Sequence, residues 1–215
     1  MRRADLVIFD CDGTLVDTEA ASNRVLAEIL TEYGLPLTPE ESEARFYGYS
    51  LRIIAEELLH HGIVLPGDWT EQYYARCLPV LAEEARAMPG ALETVEALEA
   101  LRIASCVASQ GPLHKMRLTL GRTGLWPRFE GRVFSAHMVA RGKPWPDLFL
   151  HAATQMRTGF DRCVVVEDSL TGVKAAIAAG MRCLALATGE KAAAMAALGA
   201  EPIDSLLAVP DAVAG

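Results

Sequence analysis

The sequence lacks the features of a disulfide-stabilised, zinc-binding or membrane-spanning protein. Its five cysteines are odd in number and no two stand in C-x-x-C spacing, which argues against a disulfide framework or a zinc site and favours a reducing compartment. No stretch approaches the roughly 18–20 apolar residues of a membrane span. Asp5 and Asp10 interrupt any signal-peptide core behind the first arginines. We therefore expect a cytoplasmic protein without a membrane partner.

Positive charge is also in short supply. Lysine and arginine number 20 against 28 aspartates and glutamates, which gives a formal net charge of −8. A chain this acidic is a poor match for nucleic acid or an anionic membrane, because both repel it. An anionic small substrate is compatible with this balance only if a metal ion or local lysines and arginines offset the field.

One stretch of the chain carries both a core strand and a cluster of charge. Residues 6–9 (LVIF) predict a short buried strand, and Asp10 and Asp12 follow it directly. In open α/β folds ligands bind at the carboxyl ends of the strands. Two close carboxylates repel each other, so a cation, a shared proton or both must compensate them.

The rest of the chain divides into a helical part and an alternating part. With 215 residues, 51% of them hydrophobic, one large or two small domains are expected. No strand is predicted from about residue 18 to 86. Helical spacing there predicts four helices, at 17–33, from 39, at 51–59 and at 69–87, the last broken or kinked near Pro79.

Beyond residue 87, strands alternate with helices, which predicts a parallel, doubly wound sheet. The predicted strands are 103–108, 132–135, 162–166 and 183–187. The expected fold is α/β, with a Rossmann-like core formed by residues 1–16 and 87–215 and an all-helical cap at 17–86.

Polar residues follow several of these strands at the same edge of the predicted sheet, where they can converge. Together they offer a nucleophile, an acid/base, a hydroxyl donor, a cation and carboxylates for a hard metal, a set that suits phosphoryl transfer. They are Asp10, Asp12, Ser109, Lys143, Glu167 and Asp168.

Four sequence motifs resemble those of the haloacid dehalogenase superfamily. They are residues 10–18 (DCDGTLVDT), Ser109, residues 143–147 (KPWPD) and residues 165–176 (VVEDSLTGVKAA). The resemblance covers essentially the whole chain, including a helical cap after the first motif. Gly48 and the run 109–116 (SQGPLHKM) are similar to sugar-phosphate phosphatases of this superfamily, including bacterial enzymes that act on 6-phosphogluconate-like metabolites. The β-phosphoglucomutases are relatives.

The resemblance implies a Mg²⁺-dependent phosphatase that works through an aspartyl-phosphate. Asp10 would attack phosphorus, and Asp12 would protonate the leaving oxygen and later deprotonate water. Ser109 would hold phosphate oxygens, and Lys143 would bridge the phosphate and Asp10. The implied metal ligands are the Asp10 carboxylate, the Asp12 backbone carbonyl and Asp168, with Glu167 binding directly or through water. Further implied substrate contacts are Gln110, Tyr47 and Arg52.

Other interpretations remain beside this one. Taken alone, Asp12 could be a turn residue, Ser109 a helix cap, Lys143 a surface charge, Glu167 a structural residue and Tyr47 part of the cap core. A β-phosphoglucomutase-like mutase is an alternative, but the mutases that this chain resembles carry a lysine where Pro112 stands. A non-catalytic receiver-type phosphoacceptor is another, although receivers have no helical insert of this size. We expect a small phosphorylated substrate and a monomer or weak homodimer.

Overall fold

The computed structural model describes residues 3–215 and shows a mixed α/β architecture. The strands are β1 Leu6–Phe9, β2 Val16–Asp17, β3 Arg86–Ala87, β4 Ala104–Ser109, β5 Val133–Ser135, β6 Cys163–Glu167, β7 Arg182–Leu186 and β8 Glu201–Ile203. The helices are α1 Glu19–Glu32, α2 Pro39–Phe46, α3 Leu51–His60, α4 Trp69–Glu84, α5 Ala91–Ala100, α6 Leu113–Arg122, α7 Trp126–Phe129, α8 Asp147–Gln155, α9 Leu170–Ala178, α10 Gly189–Ala197 and α11 Val209–Ala214. Among these residues, no helix combines the length and the hydropathy needed to cross a membrane.

Six parallel strands form the main sheet in the order β5-β4-β1-β6-β7-β8. The first strand is central, with Ile8 opposite Cys106 on one side and Val165 on the other. A strand with neighbours on both edges and helices on both faces has no polar side, which explains the uninterrupted apolar run of β1. The predicted parallel, doubly wound sheet is confirmed.

The side chains of β1 alternate between two hydrophobic clusters. Val7 and Phe9 belong to the cluster that α5, α6 and α11 cover. Leu6 and Ile8 belong to the cluster on the opposite face, under α8, α9 and α10. The sheet is therefore the middle layer of three, as the period of two along a strand requires.

The first four helices pack around a hydrophobic cluster of their own. Its fully buried members include Ile29, Leu30, Leu58 and Leu81. These helices lie between β2 and β3, which pair antiparallel with Val16 opposite Ala87. We use "helical insert" for residues 17–86, the boundaries that the sequence predicts for the cap, and we keep these boundaries as a proposal.

Several elements differ from the sequence prediction. Helix α4 runs through Pro79 as one element and ends at Glu84. Pro79 lies on the exposed side, while Cys77 and Leu81 keep the opposite side of the helix buried. The chain beyond α4 is extended at β3 rather than helical. The sequence analysis did not predict α7, β8 or α11; β8 contains a proline, which an edge strand tolerates because one side of it needs no ladder hydrogen bonds.

Candidate active site

A cavity lies between the carboxyl ends of the sheet strands and the helical insert; we call it the site cavity. It has a volume of about 140 Å³ for the centres of water-sized spheres and is partly open to solvent. Five carboxylate side chains and two lysines line it. They are Asp10, Asp12, Glu19, Glu167 and Asp168, with Lys115 and Lys143.

Asp10 lies at the end of β1 and forms an ion pair with Lys143. The backbone N–H of Asp10 donates to the carbonyl of Val166 at 2.9 Å, which continues the pairing with β6. The Lys143 ammonium nitrogen lies 2.5 Å from Asp10 Oδ1 and 2.6 Å from Glu167 Oε1. Burial raises the pKa of Asp10 well above its usual value, and although Lys143 opposes this, Glu167 and other carboxylates add to it. A single lysine thus leaves the negative charge at Asp10 incompletely compensated.

Glu167 anchors Lys143 to the loop that begins α9. Its Oε1 faces Lys143, and its Oε2 accepts from the backbone N–H groups of Asp168 at 2.8 Å and Ser169 at 2.7 Å. A Cβ added at Gly172 would lie 1.7 Å from Glu167 Oε1, so only glycine fits there. Both Glu167 oxygens therefore have protein partners, and Glu167 positions Lys143. These contacts do not support direct metal binding by Glu167.

Gln110 holds the backbone of Lys143, and Ser109 lies beside it at the end of β4. The Gln110 amide donates to the Lys143 carbonyl at 3.0 Å and accepts from the Lys143 N–H at 3.0 Å. Both residues line the site cavity, but the Gln110 amide is engaged with the protein. Ser109 Oγ accepts from the N–H of Gly111 at 3.1 Å, which leaves its own hydroxyl hydrogen able to donate to a ligand.

Asp12 is held by two side chains. Thr18 Oγ1 donates to Asp12 Oδ1 at 2.8 Å, and the Lys115 ammonium lies 2.8 Å from Asp12 Oδ2. Burial alone would raise the pKa of Asp12, but Lys115 and the Thr18 hydrogen bond outweigh it and lower the pKa below its usual value. Asp12 is therefore a carboxylate in this structure, the form that accepts a proton.

Asp168 faces three partners across the site cavity. Thr14 Oγ1 donates to Asp168 Oδ1 at 2.8 Å, the Tyr47 hydroxyl donates to Oδ2, and the Lys191 ammonium lies 3.9 Å from Oδ2. Burial and the neighbouring Glu167 raise the pKa of Asp168 to about 6. Gly13, at φ +78°, approaches so closely that an added Cβ would lie 2.4 Å from Asp168 Oδ2.

The residues present fit a hard divalent cation. Asp10 and Asp168 have pKa values raised by burial and by neighbouring carboxylates, so a positive charge between them would relieve an existing repulsion. Carboxylate and backbone carbonyl oxygens are the ligands that Mg²⁺ accepts. Within residues 3–215, no three His, Cys, Asp or Glu side chains could hold a metal together. The expected set of two carboxylates and the Asp12 carbonyl contains only two such side chains.

The helical insert contributes Tyr47 to the site cavity but not Arg52. Tyr47 lies against Asp168, and the Lys191 ammonium lies 3.8 Å from the centre of its ring. Arg52 lies on the exposed side of α3, 2.6 Å from Glu56, and does not line the cavity. The structure therefore does not bring Arg52 together with the other predicted substrate contacts.

Three functional neighbours were missed by sequence reasoning: Thr14, Thr18 and Lys115. The two threonines lie within the first motif and hold Asp168 and Asp12, which spacing alone does not reveal. For Lys115 a signal existed. It is in the first turn of α6, where the helix dipole disfavours a cation, so a compensating carboxylate nearby could have been inferred.

These contacts define a class of protein. A carboxylate lies at the end of the central parallel strand, with a lysine against it and a second carboxylate two residues on. An acidic residue ends the neighbouring strand β6, beneath a helical cover. Such a set suits phosphoryl transfer. Comparison with known proteins agrees. The family model of haloacid dehalogenase-like hydrolases matches residues 4–180. The chain belongs to this hydrolase family, and the resemblance of its motifs is confirmed.

Relatives are similar over most of the chain. The 6-phosphogluconate phosphatase of Escherichia coli K12 is 38% identical over 186 residues, which cover 84% of this chain and 81% of that protein. A haloacid dehalogenase-like protein of unknown function from Agrobacterium tumefaciens superposes with a TM-score of 0.80 at 33% identity, covering 98% of both chains. A hydrolase of the family from Deinococcus radiodurans, solved with bound phosphate and sodium, superposes with a TM-score of 0.77 at 32% identity. The match covers 100% of this chain and 96% of that one.

Proposed function

We propose that this protein is a Mg²⁺-dependent phosphatase that hydrolyses small phosphorylated metabolites, sugar phosphates such as 6-phosphogluconate among them. The observation that carries the proposal is the arrangement around Asp10, a buried carboxylate held by Lys143 with Asp12 two residues away. The names of the E. coli phosphatase and of the phosphate-bound Deinococcus structure support the same reaction class.

In the first step, an oxygen of Asp10 attacks phosphorus and the bond from phosphorus to the ester oxygen breaks. The negative charge of the substrate raises the pKa of Asp12 as it enters, so Asp12 takes up a proton from solvent. It gives this proton to the ester oxygen, and the product leaves as a neutral alcohol. Ser109 and the Lys143 ammonium hold the phosphoryl oxygens. Splitting the reaction at an aspartyl-phosphate replaces one difficult displacement by two easier ones.

In the second step, water attacks phosphorus and gives a proton to Asp12. The bond from phosphorus to Asp10 breaks, inorganic phosphate leaves, and Asp12 loses its proton to solvent, so both aspartates return to their starting forms. After the first step, the ion pair with Lys115 stabilises the ionised form of Asp12, which suits its acceptance of a proton from water.

Asp10, the Asp12 carbonyl and Asp168 would hold Mg²⁺. When bound, the ion neutralises charge on the transferring phosphoryl group and on the carboxylates around it. Glu167 keeps its role as the anchor of Lys143. In this arrangement the two lysines and the cation bring four positive charges against the five carboxylates of the site cavity, of which Glu19 is partly protonated at neutral pH because burial raises its pKa to about 7.

Phosphate release from a panel of sugar phosphates, with and without Mg²⁺, tests the proposal. We expect many phosphates released per chain with Mg²⁺ and essentially none after chelation. At most one phosphate per chain would instead indicate the receiver-type phosphoacceptor, and a product that keeps its phosphate at a new position would indicate the mutase. Release that persists at full rate after chelation would overturn the metal requirement.

The contacts favour hydrolysis over the mutase alternative. A mutase needs a second phosphate site. The mutases that this chain resembles hold that phosphate with an arginine of the cap and with a lysine. Arg52 instead pairs with Glu56 at the surface, and Pro112 occupies the place of the mutase lysine. The cytoplasmic location and the monomer or weak homodimer remain predictions.

A further inference from the structure

Lys115 is the cation of the site cavity that does not hold the phosphoryl group in the proposed reaction, where it only pairs with Asp12. Among the residues that line the cavity, Lys143 and Lys115 are the lysines, and Lys143 is shared by Asp10 and Glu167. The Lys115 side chain is only 10% exposed and ion-paired with Asp12. Burying an ammonium in the first turn of a helix is unfavourable unless anionic partners compensate it.

The position of Lys115 places it beside the leaving group. Asp12 must contact the ester oxygen to protonate it, and Lys115 lies 2.8 Å from Asp12. The strand ends close the cavity on the phosphoryl side, so the organic part of a bound substrate would have to extend toward the helical insert. Tyr73 and Tyr74 of α4, in this insert, line the cavity together with Lys115. Lys115 therefore borders the substrate's carbon chain, not its phosphoryl group.

The electrostatics of Lys115 suit an anion. Lysine carries a positive charge at neutral pH, and here its ammonium lies 2.8 Å from the Asp12 carboxylate at the wall of the cavity. An ammonium has three hydrogens, and Asp12 needs only one of them. Glu19 also lines the cavity, where its carboxylate would repel an anion. Burial and the charges of Asp12 and Asp168 raise the pKa of Glu19 to about 7, so at neutral pH this repulsion is only partial.

We propose that Lys115 selects substrates that carry a second anionic group on the carbon chain, a carboxylate being the simplest, by binding that group directly. This inference rests on the proposed phosphatase function and deepens it. In a cavity with five carboxylates, such a group would otherwise be repelled, so Lys115 decides between acidic and neutral sugar phosphates. It differs from the distal phosphate site of the mutases, whose lysine corresponds to Pro112.

Two substrates that differ in one group provide the test. In 6-phosphogluconate, C1 is a carboxylate, and in glucitol 6-phosphate it is a hydroxymethyl group. The ratio of their kcat/KM values with saturating Mg²⁺ should favour the acid in the unmodified enzyme. In Lys115→Met both kcat/KM values should fall because Asp12 loses its neighbour. The ratio of the acid to the neutral substrate should also fall, by about 10- to 100-fold, which corresponds to the free energy of one charge-assisted hydrogen bond. Lys115→Arg should keep more of the ratio.

Controls separate this inference from simpler alternatives. Lys174→Met removes an exposed lysine of α9 and should leave the ratio unchanged. An equal fall for both substrates in Lys115→Met would reduce Lys115 to a positioning residue for Asp12 and overturn the inference. A wild-type enzyme without preference for the acid would overturn it too. If neither substrate is hydrolysed, nor any other phosphomonoester, the proposed function itself fails.

A measurement on the unmodified protein covers the case in which Lys115→Met does not fold. With p-nitrophenyl phosphate as substrate, gluconate should inhibit at a concentration at least about tenfold lower than glucitol, because only gluconate can pair with an ammonium. Equal inhibition by the two compounds would contradict the inference.

Discussion

The carboxylate of Asp10 differs from an ordinary surface carboxylate in burial and in its partners. It is 7% exposed, it faces one lysine that it shares with Glu167, and other carboxylates surround it. A nucleophile held in this way cannot turn away from its target. Replacing a single oxygen of this group therefore removes the attacking atom while leaving the shape of the site nearly unchanged.

Asp10→Asn should lower phosphate release by at least about 1,000-fold, because an amide does not form the covalent intermediate. The measurement is steady-state phosphate release together with trapping of acid-stable or borohydride-reactive phosphoaspartate. Asp5→Asn, which changes an exposed carboxylate paired with Arg162, serves as the matched control and should retain the wild-type rate. Wild-type activity in Asp10→Asn would refute covalent catalysis.

The raised pKa of Asp168 predicts competition between protons and Mg²⁺. Without a cation the group holds its proton up to a pH of about 6, above the usual value of 3.8. The folded state then binds more protons than the unfolded state between about pH 4 and 6, so this group's contribution to stability is lost as the pH rises through that window. A bound cation removes the repulsion that is responsible.

The rise in melting temperature that Mg²⁺ produces should consequently grow from pH 5 to pH 7. Differential scanning fluorimetry with and without Mg²⁺ at several pH values measures it. In Asp168→Asn the pH-dependent part should shrink, since the titrating group is gone. A Mg²⁺ effect that is constant across this range would show that Asp168 does not bind the ion.

At the scale of elements, the loop between β6 and α9 depends on one close approach. Glu167 accepts from two backbone N–H groups of this loop and holds Lys143, and the space it occupies exists because residue 172 has no Cβ. The resemblance includes this glycine in its motif without showing why it is needed. The packing supplies the reason, because the glycine leaves room for a carboxylate.

Gly172→Ala should destabilise the protein by about 2–4 kcal/mol and reduce activity, because the buried Glu167 must move and leave Lys143 without one partner. Gly121→Ala is the matched control. Gly121 also lies within a helix, but nothing stands within 4 Å of an added Cβ, so the change should be neutral or stabilise by up to about 1 kcal/mol. Chemical denaturation measures both. Equal effects would mean that helix propensity alone is at work.

Considered as a whole, the molecule combines a sheet core with a helical insert that has its own hydrophobic cluster. The insert and the core meet at the site cavity, where Thr171 Oγ1 donates to the carbonyl of Gly48 at 2.7 Å and Tyr47 donates to Asp168. These contacts cover part of the cavity over the strand ends. Separate clusters allow the insert to loosen without loss of the sheet.

Leu58→Ala should reveal this division. Leu58 is fully buried in the cluster of the insert, so the change should reduce stability by about 2–5 kcal/mol. Hydrogen exchange should accelerate mainly in residues 19–84. The control is Leu59→Ala, since Leu59 is 60% exposed and its loss should matter by less than about 0.5 kcal/mol. Uniform acceleration throughout the sheet would contradict separate packing.

Elements that depend on local interactions were predictable from the sequence, and elements that depend on contacts with distant parts of the chain were not. The alternation of strands and helices and the separate helical segment were predictable because both depend on local hydrophobic periodicity. The extension at β3 was not, because a two-residue strand exists only through its partner β2. The edge strand β8 contains a proline, which argues against a strand in the local sequence. It is a strand because it pairs with its neighbour β7.

The sequence by itself determined the fold class and the identity of Asp10, Asp12, Ser109, Lys143 and Asp168 as neighbours, since each follows a strand or lies in a motif whose place is set by the parallel topology. Only the tertiary structure decided the partner of each side chain. It gave Lys115 to Asp12, turned Glu167 toward Lys143 and left Arg52 with Glu56 at the surface. The physical reason is that periodicity encodes which face of an element is buried, whereas the pairings of Lys115 with Asp12 and of Lys143 with Glu167 join separate elements and depend on packing distances that no local pattern contains.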